Sequence, residues 1–479
     1  MRLALVLRYV GLVLVVNAVF MALAYGVAVV GGDDGQVPLL FSAIITALVG
    51  LFPVVFVPSS SSLNPKEGYA IVVCSWVAVC FFGMVPYLLW GHAFDFSAAW
   101  FESVSGYSTS GATILDDVES LPHSLLLWRS LTHWIGGIGV VVFVMAMHLL
   151  YGNARMTLLR TEVSPMARQD FRYRSKVMLR VMVSIYLGVT LVAFGALILT
   201  GIPIFDAVNL SFSAVSTGGF AVTNQSIASY QNTGAEVVLI VAMLISSIHF
   251  GLLFGLLSGQ VKNFFRAPIV RFFLILVLFV SLSVAIDLVV RTDLSAARAF
   301  HLSLFHVVSI LSTTGFATYD IGTWPSFALF LLLTISFFGA CSGSTAGGIK
   351  LDRLMIAYGA FRATLRRKQS PSAVVPVHSG GFVVDSQLVS HTLLFIVLYM
   401  VTVAVGGLIF SMAGHDMVTS LSVAVASMGN VGLTVGSLGP FDSYGFLGPA
   451  CRLTSSGLML LGRLEIFGLL LIFFRSSWK

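Results

Sequence analysis

Apolar runs of about 20 residues, long enough to cross a bilayer as helix, recur along this chain, and four of the intervals between them have the same content. Each holds a semi-apolar segment of about 12 residues, too short to cross, that ends in a glycine turn. The turns read SerThrSerGlyAla (108–112), SerThrGlyGlyPhe (216–220), SerThrThrGlyPhe (312–316) and GlyAsnValGlyLeu (429–433). Aligned on one another, they bring Gly111, Gly219, Gly315 and Gly432 to one position. Non-helical backbone at membrane depth is tolerated only where it is buried in protein or lines a watery cavity. Four equivalent interruptions therefore confine the chain to folds in which four re-entrant segments share one interior.

The expected spans are 8–30, 37–57, 68–90, 125–150, 177–200, 235–258, 270–290, 325–346, 388–412 and 453–474. With 57% hydrophobic and 10% charged residues, a soluble domain of 479 residues could not cover its surface. The predicted fold class is all-α integral membrane, with two leading spans plus four span–pore helix–span repeats forming a pseudo-fourfold pore. The expected boundaries are 1–58 for the leading spans, then 59–160, 161–262, 263–370 and 371–479 for the repeats. Arg2 and Arg8 precede the first apolar run as in a signal peptide, but its length favours an uncleaved span. The short segments begin at Phe94-Asp95, Phe205-Asp206, Arg298-Ala299 and His415-Asp416. Asp95, Asp206 and Asp416 fit N-cap positions, and the third repeat lacks such an aspartate.

The net charge of +6 is explained by position rather than by nucleic acid. Lys and Arg cluster in three loops: Arg155, Arg160, Arg168, Arg172, Arg174, Lys176 and Arg180; Lys262, Arg266 and Arg271; and Lys350, Arg353, Arg362, Arg366, Arg367 and Lys368. Segments 202–234 and 414–447 contain neither residue. The positive-inside rule places the basic loops and both termini in the cytoplasm. These loops suit anionic lipid head groups or a regulatory subunit. Cys74, Cys80, Cys341 and Cys451 have no metal-ligand or redox spacing and read as buried thiols.

Glycine permits φ > 0 and leaves no side chain in the opening, so successive carbonyls can turn toward one axis. Four such turns make rings of oxygens able to replace a cation's water shell. The short-helix C-termini, pointing inward, favour a cation below. No ring of carboxylates or of Lys and Arg is present, so a monovalent cation is the inferred ligand. A single SerThrGly in apolar sequence commonly serves close helix packing; recurrence at four equivalent places favours a pore. The fourth turn, with Asn430 and Val431, departs furthest from the others.

The SerThrThrGlyPhe turn, the fourfold repeat and GlyAlaCysSerGlySerThrAlaGlyGlyIleLys (339–350) together resemble the Trk/Ktr/HKT potassium transporter superfamily. The two leading spans resemble its TrkH/TrkG branch, and the similarity covers essentially the whole chain. The resemblance implies potassium uptake across the bacterial inner (cytoplasmic) membrane, with no cofactor and no enzymatic activity. It implies a filter of Thr109, Ser110, Gly111, Thr217, Gly218, Gly219, Thr313, Thr314, Gly315, Asn430, Val431 and Gly432. Glycine at all four aligned positions goes with potassium preference in that family, although Ala112 stands where repeats two and three have phenylalanine. A homodimer and a TrkA-like cytoplasmic nucleotide-binding subunit are implied in the same way.

Four glycines within 339–350 argue against a continuous helix there. The resemblance implies an intramembrane gate built from Gly339, Ser342, Gly343, Ser344, Thr345, Gly347, Gly348 and Lys350, with Arg463 of the last span beside it; a packing kink is the plainer reading. Arg463 is a costly intramembrane charge. It serves either to limit flux or to make a structural ion pair with an acid other than Glu465, which points to a different face. Lys350 acts on the gate or snorkels, and Arg129 reads as structural, near an interface. A symporter coupled to protons or sodium would need a titrating acid, for which Glu102 and Glu465 are the candidates. GlyAlaCysSerGly has one residue too many for a serine-protease nucleophile context, and His133 and His249 lack a supporting motif. TrpIleGlyGlyIleGly (134–139) lies inside a span without a preceding strand and is read as helix packing, not a dinucleotide fingerprint.

Overall fold

The structure, a computed structural model, describes residues 2–59, 64–150, 175–435, 439–466 and 468. The basic cluster expected at 155–174 lies outside the described residues. Two leading helices, α1 (Leu3–Gly31) and α2 (Gln36–Phe56), pack side by side. Their closest approach is at Gly11 and Gly50, where a Cβ on either would run into the other's carbonyl oxygen. Small residues allow this proximity between apolar helices that have no hydrophobic drive to associate in lipid. α3 (Pro65–Gly83) starts in a capping box of Asn64 and Glu67. Glu67 is further held by Arg2, through Nε at 2.9 Å and Nη2 at 2.8 Å.

The remaining order is α4 (Val85–Trp90), α5 (Phe96–Tyr107), α6 (His123–Leu150), α7 (Ser175–Leu199), α8 (Ile204–Val215), α9 (Thr233–Ser246), α10 (Phe250–Leu257), α11 (Val261–Arg266), α12 (Pro268–Arg291), α13 (Ala296–Leu311), α14 (Ser326–Ser336), α15 (Leu351–Gln369), β1 (Val377–Ser379), β2 (Phe382–Val384), α16 (Ser386–Met412), α17 (Met417–Gly429) and α18 (Pro449–Arg463). The β1–β2 hairpin, the one sheet among the described residues, is an addition to the expected all-helical fold. Val377 and Val384 pack on Ile356, Ala360 and Ala363 of α15.

Six single helices are long and apolar enough to cross a membrane: 3–31, 36–56, 66–90, 179–199, 268–291 and 386–412. Their outward faces carry rows such as Leu48, Phe52 and Val55 on α2 and Leu394, Val397 and Val401 on α16, all exposed. Apolar side chains in such number facing outward mark a lipid-facing surface. The four short helices α5, α8, α13 and α17 are buried along most of their length.

Three expected spans depart from continuous helix. The span at 235–258 bends by 107° between α9 and α10. His249 caps α10 there, its Nδ1 accepting from the Gly251 amide at 2.9 Å, while the Ser247 carbonyl accepts from Cys341 N at 3.1 Å. The span at 325–346 stops as helix at Ser336, and that at 453–474 is interrupted at Leu464 before helix resumes at 465.

Of the three aspartate caps expected, two hold and one fails, and the third short helix lacks such an aspartate as expected. Asp95 accepts from Ala98 N at 2.7 Å and Asp416 from Thr419 N at 3.1 Å. The Ala98 amide, aided by the Ser97 hydroxyl, keeps the Asp95 carboxyl below the usual carboxylate range. Asp206 is not a cap. Pro203 takes that place, the helix begins at Ile204, and Asp206 falls inside the first turn, still opposing the positive helix end. The third short helix does have a cap, Ser295, and starts at Ala296, earlier than expected. Because α1 and α2 meet through Gly11, a Gly11→Leu substitution is expected to overpack that contact by about 1–3 kcal/mol. The thermal midpoint in detergent should fall for Gly11→Leu and hold for Gly26→Leu, since Gly26 has no neighbour within 4 Å.

Candidate functional site

All four short helices end in the same backbone motif. After α5, Thr109 N bonds Gly106 O at 3.1 Å and Ser110 N bonds Ser105 O at 2.9 Å. The corresponding pairs after α8 are Thr217 N to Ala214 O and Gly218 N to Ser213 O; after α13, Thr313 N to Ile310 O and Thr314 N to Ser309 O; after α17, Asn430 N to Ser427 O and Val431 N to Ala426 O. This is the Schellman arrangement, which satisfies the last carbonyls of a helix by turning the next residue left-handed. That residue is Thr109 (φ 54°), Thr217 (56°), Thr313 (57°) or Asn430 (53°). Left-handed backbone is uncommon for any residue with a Cβ and a true outlier for β-branched threonine. Two residues on, Gly111, Gly219, Gly315 and Gly432 have φ of 78°, 86°, 83° and 70°. The fourth turn, the poorest sequence match, is therefore the geometric equal of the others.

The turns lie against one another in a closed ring. A Cβ on Gly111 would overlap the Gly218 carbonyl oxygen, one on Gly219 that of Thr314, one on Gly315 that of Val431, and one on Gly432 that of Ser110. Each glycine thus seats the next turn, and the fourth seats the first. The two residues before each glycine are buried, and the glycine itself is half-buried. Among the described residues no backbone amide bonds the carbonyls of residues 109–111, 217–219, 313–315 or 430–431. Buried carbonyls are otherwise nearly always paired. The Thr109 and Ser110 hydroxyls are buried and also without a partner there.

Side chains brace the ring from behind. The Ser105 hydroxyl donates to Ala112 O at 2.6 Å, and Ser309 does the same for Phe316 O at 2.7 Å. The Tyr444 hydroxyl donates to Gly432 O at 3.0 Å, and Tyr444 N bonds Thr113 O at 2.7 Å, joining repeat four to repeat one. Arg129, read from the sequence as structural, is buried, and its Nε lies 2.8 Å from Glu102. Glu102 also accepts from the Thr113 hydroxyl and from Ile114 N at 3.1 Å. Arg129 reaches Ala221 O at 3.3 Å and stacks its guanidinium 4.0 Å from the Phe220 ring centre. One ion pair thereby connects the first and second turns. Sequence spacing gave no signal for this pairing, since the two residues sit on separate helices.

Below the ring, residues 337–350 form a loop between α14 and α15. Its stem is tied by Gly339 N to Ile349 O at 2.9 Å and Ile349 N to Phe337 O at 3.0 Å. Its tip reaches the turns themselves. Gly347 N donates to Thr313 Oγ1 at 2.7 Å, and the Thr217 and Thr345 hydroxyls lie 3.3 Å apart. Gly347 packs so closely on Gly429 that a Cβ would overlap its carbonyl oxygen. Ser342 N bonds Asp352 at 2.8 Å, the Ser344 hydroxyl bonds Cys341 O at 2.7 Å, and Gly343 and Gly348 take positive φ. Lys350 bonds Ala346 O within the loop. Arg463 is buried and donates to Thr345 O at 2.7 Å and Gly136 O at 3.3 Å. No carboxylate pairs with it among the described residues, so the ion-pair reading of Arg463 gives way to one in which it holds backbone. Glu465 pairs instead with Arg353 at 2.7 Å.

A buried ring of uncommitted carbonyls within a bundle of lipid-facing helices defines a multi-pass membrane protein of the cation-transport class. Residues 35–479 match the TrkH family model, described as cation transport protein, and the chain belongs to that family. It is 31% identical over 429 residues to the Trk system potassium uptake protein TrkH of Salmonella typhimurium, covering 87% of each chain. Against the TrkI potassium uptake protein of Halomonas elongata it is 31% identical, covering 100% of this chain and 97% of the other. The crystal structure of the potassium transporter TrkH from Vibrio parahaemolyticus superposes with a TM-score of 0.91 at 28% identity, over 100% of both chains. The family is one of transport proteins, which leaves no place for the serine-protease reading.

The buried Glu102–Arg129 pair generates a direct test. Arg129→Met strands a buried carboxylate and should cost about 3–5 kcal/mol, whereas the double change Glu102→Met with Arg129→Met should recover most of it. Thermal midpoints of the three purified variants check this.

Proposed function

We propose that this protein carries potassium ions into the cell across the bacterial inner membrane, through a filter formed by the four turns. The observation that carries the proposal is the ring of carbonyls at 109–111, 217–219, 313–315 and 430–431 that no backbone amide satisfies among the described residues. A dehydrated monovalent cation supplies what those oxygens lack. The αL residues Thr109, Thr217, Thr313 and Asn430 set the turn, Ser110, Gly218, Thr314 and Val431 contribute carbonyls between, and the aligned glycines allow the turns to touch. The relatives' names as potassium uptake proteins support the choice of ion.

The loop carrying Gly339, Ser342, Gly343, Ser344, Thr345, Gly347, Gly348 and Lys350 acts as the gate in this proposal. Its tip bonds Thr313 directly beneath the filter, and Arg463 holds it there through the Thr345 carbonyl. Uncoupled flux is favoured over symport. Glu102 is engaged by Arg129 and by the turn it braces, and Glu465 by Arg353, so neither candidate acid is left free to carry a proton. The division into two leading spans and four repeats, cytoplasmic termini, a homodimer, lipid contact and a TrkA-like nucleotide-binding partner complete the proposal. The basic face of α15, with Arg362, Arg366 and Arg367, suits a cytoplasmic partner or anionic head groups.

Flux through the purified protein in liposomes tests the filter. A side chain at Gly315 would overlap Val431 O at a φ that disfavours it. Gly315→Ser is therefore expected to lower the potassium-to-sodium flux ratio by roughly tenfold, ~1.4 kcal/mol; an unchanged ratio overturns the filter. In the same liposomes the wild-type reversal potential should follow the potassium gradient alone. Deleting residues 340–348 should raise flux of the well-expressed protein, and unchanged or reduced flux would count against the gate.

A further inference from the structure

His133 stands apart from the groups used so far. It lies one turn after Arg129 on α6 and is fully buried, with its ring parallel to that of Phe220 (centres 4.1 Å apart, planes at 11°). Its Nδ1 is 3.4 Å from the hydroxyl of Ser213, the residue whose carbonyl closes the second Schellman turn. Gly218 rests directly on the imidazole, and a Cβ there would overlap the ring. One side chain thus touches the end of α8, the middle of the second turn and the aromatic residue after its glycine. The corresponding aromatic of repeat three, Phe316, has no such stacking partner among the described residues, and repeats one and four carry Ala112 and Leu433.

We infer that His133 is a positioning residue for the second turn, setting cation discrimination there by wedging its ring against Gly218 and Phe220. The inference rests on the filter reading above. Among the described residues the turn's carbonyls accept no hydrogen bonds, and on the ring side the Gly218 oxygen meets only the bare Gly111 backbone. Their positions depend on what lies behind the backbone, and a site must be held to within about 0.5 Å by such support to discriminate. A flat aromatic surface suits this task, because Gly218 offers only backbone to rest on it. An aliphatic side chain of similar volume would fill the space without matching that face.

The test is a double-mutant cycle on the potassium-to-sodium flux ratio in liposomes, using His133→Gln and Phe220→Leu. Each removes the stack from one side while keeping volume. Each single variant is expected to lower the ratio by roughly three- to tenfold, and the double variant no further than the worse single one. Should one single variant fail to reach the membrane, the other carries the test alone. A general structural role would lower both fluxes together and leave the ratio as in wild type; that result, or fully multiplicative effects, overturns the inference. Gly315→Ser, measured alongside, separates the two levels. If it lowers the ratio and His133→Gln does not, His133 fails alone; if neither does, the filter reading falls with it.

Discussion

Backbone that leaves a helix inside a bilayer must find its hydrogen bonds within the protein, and the four Schellman turns are where this chain meets that demand. Each turn satisfies the carbonyls at the end of its short helix and, among the described residues, leaves the next two or three without a donor. The cost is a left-handed threonine in three of the four, a strain of about 1–2 kcal/mol apiece. Strain of this kind persists only where the surroundings over-determine it. Here the surroundings are the neighbouring turns, because every glycine gives its missing side-chain volume to the next carbonyl in the ring.

The ring is fourfold in backbone and different in each repeat behind it. The first two turns share the Glu102–Arg129 pair and the Phe220 ring. The third is contacted from beneath through Thr313 and Gly347. The fourth is braced by Tyr444, and Asn430 reaches Met459 O at 3.0 Å on α18. A bent α9–α10 pair and a truncated α14 together make room for the loop at 337–350. Two irregularities in separate repeats thus serve one feature.

The parts legible in the sequence are those with a local cause. Glycine at Gly111, Gly219, Gly315 and Gly432 announces positive φ, and four glycines at 339–350 announce a broken helix. The equivalence of the fourth turn was also available, since asparagine follows glycine as the residue most at ease in the left-handed cap. The absence of an aspartate from the third short helix is legible, and Ser295 serves there in its place. The bend falls at Ser246, Ser247 and His249, polar residues whose signal is lost in the high hydropathy of the run around them. The Glu102–Arg129 contact could not be read at all, because it depends on how two helices face each other and not on either segment alone.

The contact between Gly432 and Ser110 joins residues more than three hundred positions apart. During synthesis, three walls of the ring are complete before the fourth has left the ribosome. Until then Ser110 and Gly315 flank the gap that the fourth turn will fill. The fourth turn is therefore the one that closes the ring, and the order of its arrival is built into the sequence. A chain truncated within α16 would insert its earlier helices and still have no closed interior.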